Sequence, residues 1–279
     1  MIGATDMGTG CDTILSQIAA DILECDLENI VVHGVDTDLS PYDTGSYASS
    51  TTYISGKAVV KTCESMREKI LSEGARLLKI PVEKVEFDGK NVFSLEDDKS
   101  ISLKDIANFS LVGENNYITA SESHYSPTSP PPFMAGAVEI EVDKLTGKVD
   151  IIDYVAVVDC GTVINPNLSR IQVEGGIMQG IGMALYEDVT HDKKGRLTSS
   201  SFLQYKIPSR LDVKDIRVEF ESSYEPTGPF GAKSIGEIVI NTPSPAIAHA
   251  VYNATQVNIR QLPITSEKIV MGMLENKKK

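Results

Sequence analysis

The spacing of apolar residues predicts two amphipathic helices in the first third of the chain. The first pattern covers residues 12–24 and places apolar side chains on one face at Ile14, Leu15, Ile18, Ala19 and Ile22. The second covers residues 46–78 and does the same at Ala58, Val59, Cys63, Met66, Ile70 and Leu77. Pro81 ends this second pattern, since proline has no backbone N–H to continue a helix.

Alternating apolar and polar residues predict strands that pair as antiparallel hairpins. Residues 82–94 alternate around Asp88-Gly89, a dipeptide typical of a tight hairpin turn. A second hairpin joins residues 135–142 to residues 149–158 across Thr146-Gly147. Other extended patterns predict a strand at 30–35, a hairpin turn at 192–195 and a strand at 216–220. Further helices are predicted at 102–109, 165–186, 245–255 and 266–275. Because helices and hairpins interleave without a regular β-α-β repeat, the sequence predicts an α+β fold.

A proline-rich stretch divides the predicted elements into two groups. Residues 126–132 read SPTSPPP, which excludes both a helix and a central strand. We therefore expect a stiff connector over 126–134. It separates a first subdomain at 1–125 from a second at 135–275, and a lysine-ending tail follows at 276–279.

Composition and charge narrow the classes of function. Lys and Arg number 26 against 39 Asp and Glu, a net charge of −13 that disfavours nucleic acid as a partner. The four cysteines lie far apart without a CxxC pair, which argues against zinc or iron–sulfur ligation by this chain. No signal peptide or membrane-length apolar run is present, so we expect a cytoplasmic protein with reduced thiols and no membrane partner.

Two glycine-led turns lie directly before predicted helices. Residues 3–10 read GATDMGTG and precede the first helix, and residues 43–49 read DTGSYAS and lead into the second. Exposed backbone N–H groups at the start of a helix suit an anionic ligand, although each turn is also compatible with ordinary capping. Two such turns together favour a ligand with phosphate or a similarly polar edge.

Four glycines fall inside the helix predicted at 165–186, in the sequence GGIMQGIG at 175–182. Each costs up to about 1 kcal/mol relative to alanine, so something must approach this backbone closely. Tight packing of a neighbouring helix would explain them, and so would a ligand. Gln179 favours the ligand, because its amide both donates and accepts hydrogen bonds.

Glu237 is a lone acid among apolar neighbours in the segment GPFGAKSIGE, residues 228–237. If the apolar residues surround it, burial would raise the pKa of its carboxyl toward that of a general base. A solvated glutamate at the start of a helix is the alternative. No Ser-His-Asp grouping accompanies it, so a hydrolase triad has no support.

Taken in order, five segments resemble the molybdenum-cofactor-binding subunit of the xanthine dehydrogenase and aldehyde oxidase family, the molybdenum hydroxylases. They read GATDMGTG, DTGSYASSTTYISGKAV, EIEVDKLTGKVDI running to VDCGTVINP, QVEGGIMQGIGMALYE and GPFGAKSIGE. The resemblance is to the C-terminal half of that subunit and covers nearly the whole chain. It implies an α+β fold of the molybdopterin-binding domain type.

The resemblance also implies roles for individual residues. Gly8, Thr9 and Gly10 would lie beside the metal without ligating it. Ala48, Ser49 and Thr51 would wrap the polar tail of the cofactor, and Gln179 would bond the pterin. Glu237 would be the catalytic base, with Lys233 four residues before it as in the family's pattern.

For the whole enzyme, the resemblance implies hydroxylation of a carbon in an N-heterocycle or aldehyde, with oxygen from water. The cofactor would be molybdopterin with molybdenum, extended to a cytosine dinucleotide in many bacterial members. Electrons would leave through iron–sulfur and FAD subunits, because this chain has no ligand set for either group. The other half of the molybdopterin subunit would be a further partner in a hetero-oligomer.

Three features keep other interpretations open. Thr9 stands where the family commonly has a longer glutamine, and Ile238-Val239 replaces a proline pair after the catalytic glutamate. The half of the subunit that supplies much of the substrate pocket is absent. A non-catalytic scaffold or fragment is therefore one alternative, and a reductive enzyme acting on an aromatic thioester is another.

Overall fold

Helices and two three-stranded sheets alternate along the chain in the computed structural model, which describes residues 1–113 and 117–278. The α-helices are α1 (Cys11–Ile22), α2 (Gly56–Leu78), α3 (Leu103–Asn108), α4 (Pro166–Leu185), α5 (Pro243–Thr255) and α6 (Ser266–Asn276). The strands are β1 (Val85–Phe87), β2 (Asn91–Ser94), β3 (Ser100–Ser102), β4 (Phe133–Val142), β5 (Val149–Asp159) and β6 (Val213–Phe220). Among the described residues, no helix is both long and apolar enough to cross a bilayer.

Contacts divide the chain into two units. Unit 1 contains Met1–Pro130 and Tyr224–Lys233, and unit 2 contains Pro131–Ser223 and Ser234–Lys279. Lys279, the last residue of the predicted tail, lies outside the described residues, as do residues 114–116 of the predicted first subdomain. β4 begins at Phe133, inside the predicted connector.

Unit 1 is built on the packing of α1 against α2 and of α2 against a small antiparallel sheet of order β1-β2-β3. Phe87, Val92 and Ile106 are almost fully buried in the core that this sheet shares with α2 and α3. The turn between β1 and β2 requires glycine. Gly89 has φ +83°, and a Cβ there would lie 1.8 Å from the carbonyl oxygen of Glu24, just beyond α1.

Unit 2 has a mixed sheet of order β4-β5-β6, in which β4 and β5 pair antiparallel and β5 and β6 pair parallel. α4 and α5 pack in the core beside this sheet, and Tyr154, Ile177 and Ile247 are fully buried there. The hydroxyl of Tyr154 hydrogen-bonds Thr242 Oγ1 at 2.9 Å, which satisfies a polar group in an apolar setting.

Two glycines of α4 permit a close approach by the segment that precedes α5. A Cβ at Gly176 would lie 2.1 Å from Val239 Cγ2, and one at Gly180 would lie 2.6 Å from Pro243 Cγ. These two glycines are four residues apart, so they lie on the same face of the helix. On this face, the packing explanation for the glycine-rich helix is confirmed.

Several predicted elements differ from the structure. The helix expected from residue 46 begins at Gly56, after a π-turn at Thr51–Ser55, because Ala48 and Ser49 have φ of 50° and 56°, outside the α-helical range. Residues 30–35 form no strand in the described chain. Val31 and Val35 are exposed, and one backbone hydrogen bond joins His33 O to Ile2 N.

The hairpin expected at 192–195 is also smaller than predicted, since only an isolated bridge between His191 and Leu197 flanks its turn. Neither β3 nor the parallel pairing of β6 was predicted.

His124 is an anomaly in unit 1. Both of its ring nitrogens are buried and have no hydrogen-bond partner. Burial, together with the charges of Lys61 and Lys57 on α2, lowers the pKa of His124 below its usual value. The imidazole is therefore harder to protonate in the folded chain than in the unfolded chain.

We expect Gly176→Ala and Gly175→Ala to have opposite effects on stability. Gly176→Ala overpacks the contact with Val239 and should lower the free energy of unfolding by about 1–3 kcal/mol. A Cβ at Gly175 meets nothing within 4 Å, so Gly175→Ala should raise the free energy of unfolding by up to about 1 kcal/mol through helix propensity. Urea denaturation of both variants measures the difference, and equal effects would contradict the packing assignment.

We expect His124 to make the protein less stable as the pH falls. The unfolded chain takes up a proton near the ordinary histidine pKa, whereas the folded chain does so only at lower pH. Stability is therefore fully present above about pH 6.5 and declines below it. Denaturation midpoints at pH 7.5 and 5.5 test this, because His124→Phe should lose less stability over that interval than the parent. His249→Phe, on the exposed side of α5, is the matched control and should behave like the parent.

Candidate functional site

The first glycine loop is organised by the carboxylate of Asp6. Its Oδ1 accepts hydrogen bonds from Gly8 N at 2.9 Å and Gly10 N at 3.1 Å, and its Oδ2 accepts one from Asp12 N at 3.4 Å. Burial opposes ionisation of Asp6, but the backbone hydrogen bonds outweigh it and lower the pKa of the carboxyl. The carboxylate therefore fixes the path of the loop into α1, whose N-cap is Gly10.

Gly8 and Thr9 are exposed at the tip of this loop. Gly8 has φ +103° with open space where a Cβ would lie, and Gly10 has φ +77°. Such backbone conformations cost glycine little, and the N–H groups of Gly8 and Gly10 donate to the Asp6 carboxylate. Asp6 was not among the predicted site residues, although an aspartate two residues before a glycine is typical of a side chain that bonds the following backbone.

Asp6, Cys11 and Asp12 form a group whose ligand atoms all lie within 4.8 Å of one another. The carboxylate of Asp6 already accepts backbone hydrogen bonds. Burial and the two neighbouring aspartates raise the pKa of the Cys11 thiol to about 12, so it stays protonated. Within this group, Asp6 serves the backbone of the loop.

The second glycine loop carries backbone strain at consecutive positions. Ala48 and Ser49 both have positive φ, which L-residues other than asparagine and aspartate rarely adopt. Gly45 has φ +114° and donates its N–H to Asp43 Oδ1 at 2.8 Å. Thr51 Oγ1 bonds Ser46 Oγ at 3.1 Å across the loop. Strain of this kind costs about 1–3 kcal/mol per residue and tends to persist at ligand-binding loops.

Tyr53 anchors the end of this loop in unit 1. Its ring is almost fully buried, and its hydroxyl contacts Thr227 Oγ1 at 2.6 Å, Ser126 Oγ at 3.1 Å and Thr128 Oγ1 at 3.4 Å. Burial raises the pKa of Tyr53, but these hydrogen bonds outweigh it and the net shift is downward. Because the residues that bond Tyr53 come from distant parts of the chain, no local sequence pattern predicted this cluster.

Lys233 ends a tight segment of unit 1 and is buried, with 7% of its surface exposed. A Cβ at Gly228 would lie 1.9 Å from Ala232 O, and Phe230 and Gly231 both have positive φ. Hydrogen bonds from the side chain and backbone of Thr227, together with the charge of Lys233, lower the pKa of Glu225. The charge of Lys233 thus favours the ionised form of a carboxylate in the same segment.

Gln179 is an exposed residue of α4, whereas its neighbours Gly176 and Gly180 are buried. Gly175, one turn before it, is also exposed and has open space beside it. The glycines of α4 thus differ in exposure. Gly176 and Gly180 serve internal packing, whereas Gly175 and Gln179 are accessible from outside.

Glu237 is exposed, so the apolar residues next to it in the sequence do not bury it. It lies at the N-cap of a short 3₁₀ turn, Ile238–Ile240, within unit 2. The apolar neighbours point away from it, because Val239 is buried and Ile235 and Ile238 pack against the unit 2 core. The structural alternative, a glutamate at the start of a helical turn, describes its position.

The predicted site residues fall into both units. Unit 1 contains Lys233 and the two glycine loops, with Gly8, Thr9, Gly10, Ala48, Ser49 and Thr51. Unit 2 contains Gln179 and Glu237. Within unit 1, the loop of Ala48 and Ser49 leads directly into the π-turn of Thr51 and Tyr53, and Tyr53 in turn bonds the segment that ends at Lys233.

Comparison with known proteins identifies relatives over nearly the whole chain. A sequence model of the family described as "Molybdopterin cofactor-binding domain" matches residues 1–214. The chain is 35% identical over 280 residues to the probable hypoxanthine oxidase XdhD of Escherichia coli (strain K12), covering 97% of this chain and 28% of that protein. It is 33% identical over 273 residues to the putative xanthine dehydrogenase molybdenum-binding subunit XdhA of the same organism, covering 96% of this chain and 36% of that protein.

Among solved structures, quinoline 2-oxidoreductase from Pseudomonas putida 86 is similar, with a TM-score of 0.88 at 28% identity. The similarity covers 98% of this chain and 36% of that one. The α+β fold class is thereby confirmed. This chain spans about a third of the length of these relatives, between 28% and 36%.

We expect Ala48→Gly to cost little stability, because glycine relieves the positive φ while adding freedom to the unfolded chain. Ala107→Gly, at an exposed position in α3, is the matched control and should lower the free energy of unfolding by about 1 kcal/mol. Chemical denaturation of the two variants measures the contrast. A full helix-type loss in Ala48→Gly would show that the loop is not strained.

Proposed function

This chain belongs to the molybdopterin cofactor-binding domain family, and from that membership we propose that it forms the cofactor-binding part of a molybdenum hydroxylase. The enzyme would hydroxylate a carbon of an N-heterocycle or an aldehyde. The observation that carries the proposal within the structure is the strained pair Ala48 and Ser49. Their conformation fixes an exposed loop that makes little contribution to the core, as expected where a loop is shaped for a ligand.

The residues present fit a large, polar-edged cofactor. Gly8, Gly10 and Gly45 have positive φ on exposed or half-exposed loops, and their N–H groups donate to the carboxylates of Asp6 and Asp43. With these loops held in place, a phosphate or pterin edge could approach the glycine backbone without obstruction by side chains. We assign Gly8, Thr9 and Gly10 to the region of the metal, and Ala48, Ser49 and Thr51 to the polar tail. Gln179 would bond the pterin through its exposed amide.

When bound, molybdopterin would supply a Lewis-acidic metal centre that accepts electrons from the substrate. Glu237 would accept the proton that is released during hydroxylation. Its exposed carboxylate is accessible for that transfer, and the burial of Val239 and Ile238 fixes the turn that carries it. Lys233, buried at the end of the tight segment 228–233, would position the start of the catalytic segment.

Other components would come from outside this chain. Electrons would pass to iron–sulfur and FAD subunits, because among the described residues the only grouped metal-type ligands are Asp6, Cys11 and Asp12. The cofactor would be molybdopterin itself or its cytosine dinucleotide, since the exposed loops accommodate either. The remaining part of the molybdopterin subunit would complete the substrate pocket.

A non-catalytic scaffold is a second candidate. Thr9 has a shorter side chain than the glutamine common in the family, and the chain spans only about a third of its relatives. A scaffold would bind the cofactor or its partner chains while Glu237 made no difference to turnover.

The decisive experiment compares Glu237→Gln with Gln179→Ala in the assembled enzyme. General-base catalysis contributes about 10²–10⁴-fold, so Glu237→Gln should lower the rate of the reductive half-reaction by that factor at unchanged molybdenum content. Gln179→Ala should instead reduce molybdenum and pterin content more than the rate per bound metal. Both quantities are measured by metal analysis and rapid-mixing kinetics.

Glu141→Gln is the matched control, since Glu141 is an exposed glutamate of unit 2 with no assigned role. It should match the parent in both measurements. Turnover of Glu237→Gln within about threefold of the parent at full metal loading would exclude the catalytic role of Glu237 and favour the scaffold.

A further inference from the structure

Two segments of unit 1 that are far apart in the sequence meet at the hydroxyl of Tyr53. Tyr53 follows the second glycine loop, and its hydroxyl bonds Thr227 Oγ1 at 2.6 Å, 174 residues further along the chain. Gly56, the first residue of α2, permits a second contact, since a Cβ there would lie 3.0 Å from Pro229 Cγ. We call the Tyr53–Thr227 hydrogen bond and the Gly56–Pro229 contact the clasp. It joins the loop at 43–52 to the segment 224–233.

The direction of the hydrogen bonds in the clasp follows from the charge of Glu225. Its carboxylate accepts bonds from the hydroxyl of Thr227 and, at 3.0 Å, from the backbone N–H of Thr227. These bonds and the charge of Lys233 lower the pKa of Glu225, so it is ionised at neutral pH. Because Thr227 donates its one hydroxyl proton to Glu225, its Oγ1 accepts the proton of Tyr53. A chain of bonds that ends on a charged carboxylate is stronger than isolated neutral bonds.

On the loop side of the clasp, hydrogen bonds link the strained positions to the turn that carries Tyr53. Ser50, which directly follows them, donates its hydroxyl to Tyr47 O at 2.8 Å, and its carbonyl accepts the N–H of Ile54 at 2.7 Å. Ile54 and Tyr53 both belong to the π-turn Thr51–Ser55. A ligand that contacts the loop therefore acts on a backbone that is hydrogen-bonded into the turn of Tyr53.

On the other side of the clasp, the segment 224–233 has a shape that it would not keep alone. Phe230 has φ 51°, a conformation in which a bulky residue is an outlier. Its side chain is 38% exposed, so burial offsets the strain only in part. Such strain persists only where the surrounding structure holds the backbone in place. Glu225 N bonds Gly231 O at 3.0 Å within the segment, and the clasp attaches the segment to the loop and to α2.

We propose that Tyr53 is a positioning residue that couples cofactor binding at the loop 43–52 to the conformation of the segment 224–233. The inference rests on the proposed function, in which the loop binds the polar tail of the cofactor and Glu237 accepts the proton. Glu237 follows Lys233, the last residue of the segment, by four positions in the sequence. When a ligand holds the loop, the segment that leads to the proposed base should be held as well. By linkage, an ordered segment strengthens cofactor binding by the same factor.

A purely structural role for Tyr53 gives a different expectation. Loss of a buried hydrogen bond would then lower stability to the same extent with the cofactor and without it. Tyr154 provides the comparison, since it is also a buried tyrosine and its hydroxyl bonds Thr242 Oγ1 at 2.9 Å in unit 2. Tyr154→Phe removes a similar bond that lies outside the clasp.

The experiment measures amide hydrogen exchange at residues 224–233 in the assembled enzyme, with the molybdenum cofactor and without it. The cofactor-free enzyme comes from cells that cannot make the cofactor. In the parent, we expect the cofactor to slow this exchange about fivefold or more, the lower end of typical coupling between two sites. Thr227→Val breaks the link to the segment, while Tyr53 keeps Ser126 and Thr128 as partners, and should abolish the slowing. Thr227→Ser keeps the hydroxyl and should restore it.

A double variant tests the bond itself. If Tyr53 and Thr227 act through one hydrogen bond, Tyr53→Phe combined with Thr227→Val should lose no more protection than either single variant. Molybdenum retained after gel filtration should fall in each single variant, because the coupling is reciprocal. Tyr154→Phe is the matched control and should keep both the protection at 224–233 and the molybdenum content of the parent.

Several results would overturn the inference while leaving the proposed function intact. They are equal protection in a molybdenum-loaded parent and in Thr227→Val, failure of Thr227→Ser to restore protection, additive losses in the double variant, and loss of protection in Tyr154→Phe. A parent enzyme without molybdenum would instead contradict the proposed function, and the inference that rests on it would fall as well.

Discussion

The absence of two side chains on α4 determines how unit 2 is built. Gly176 and Gly180 let Val239 and Pro243 approach the helix backbone, closer than any alanine would permit. This contact fixes the 3₁₀ turn at Ile238–Ile240 and the start of α5, and Glu237 stands at the first position of that turn. Packing in the core therefore determines where the proposed base lies, although the base itself is exposed. The same helix also carries the exposed Gln179.

In unit 1, side-chain hydrogen bonds hold two exposed loops in conformations that the loops would not adopt alone. Asp6 satisfies the backbone donors of the first loop, and Tyr53 anchors the end of the second through three hydroxyl partners. Strain at Ala48 and Ser49 is tolerated because the surrounding structure holds the loop in place. Both loops keep their backbone accessible, as a binding role requires.

Local patterns in the sequence predicted the regular elements well. The periodicity of α1 and the Asp88-Gly89 turn each depend on residues close together in the chain, and each formed as expected. Features that depend on distant residues were not predictable. The parallel pairing of β5 with β6, the exposure of Glu237 and the cluster around Tyr53 all arise from contacts across many residues. Residues 30–35 have the composition of a strand, but they form none in the described chain, although His33 O accepts a hydrogen bond from Ile2 N.

The segment Tyr224–Lys233 has a consequence for how such a protein can change in evolution. By its contacts it belongs with residues 1–130, yet both of its covalent neighbours belong to unit 2. No single cut in the gene can therefore separate the two units, since a break at the proline-rich connector would leave Thr227, a partner of Tyr53, on the wrong fragment. A fragment that carries the whole of unit 1 must therefore include residues 224–233 as well as residues 1–130.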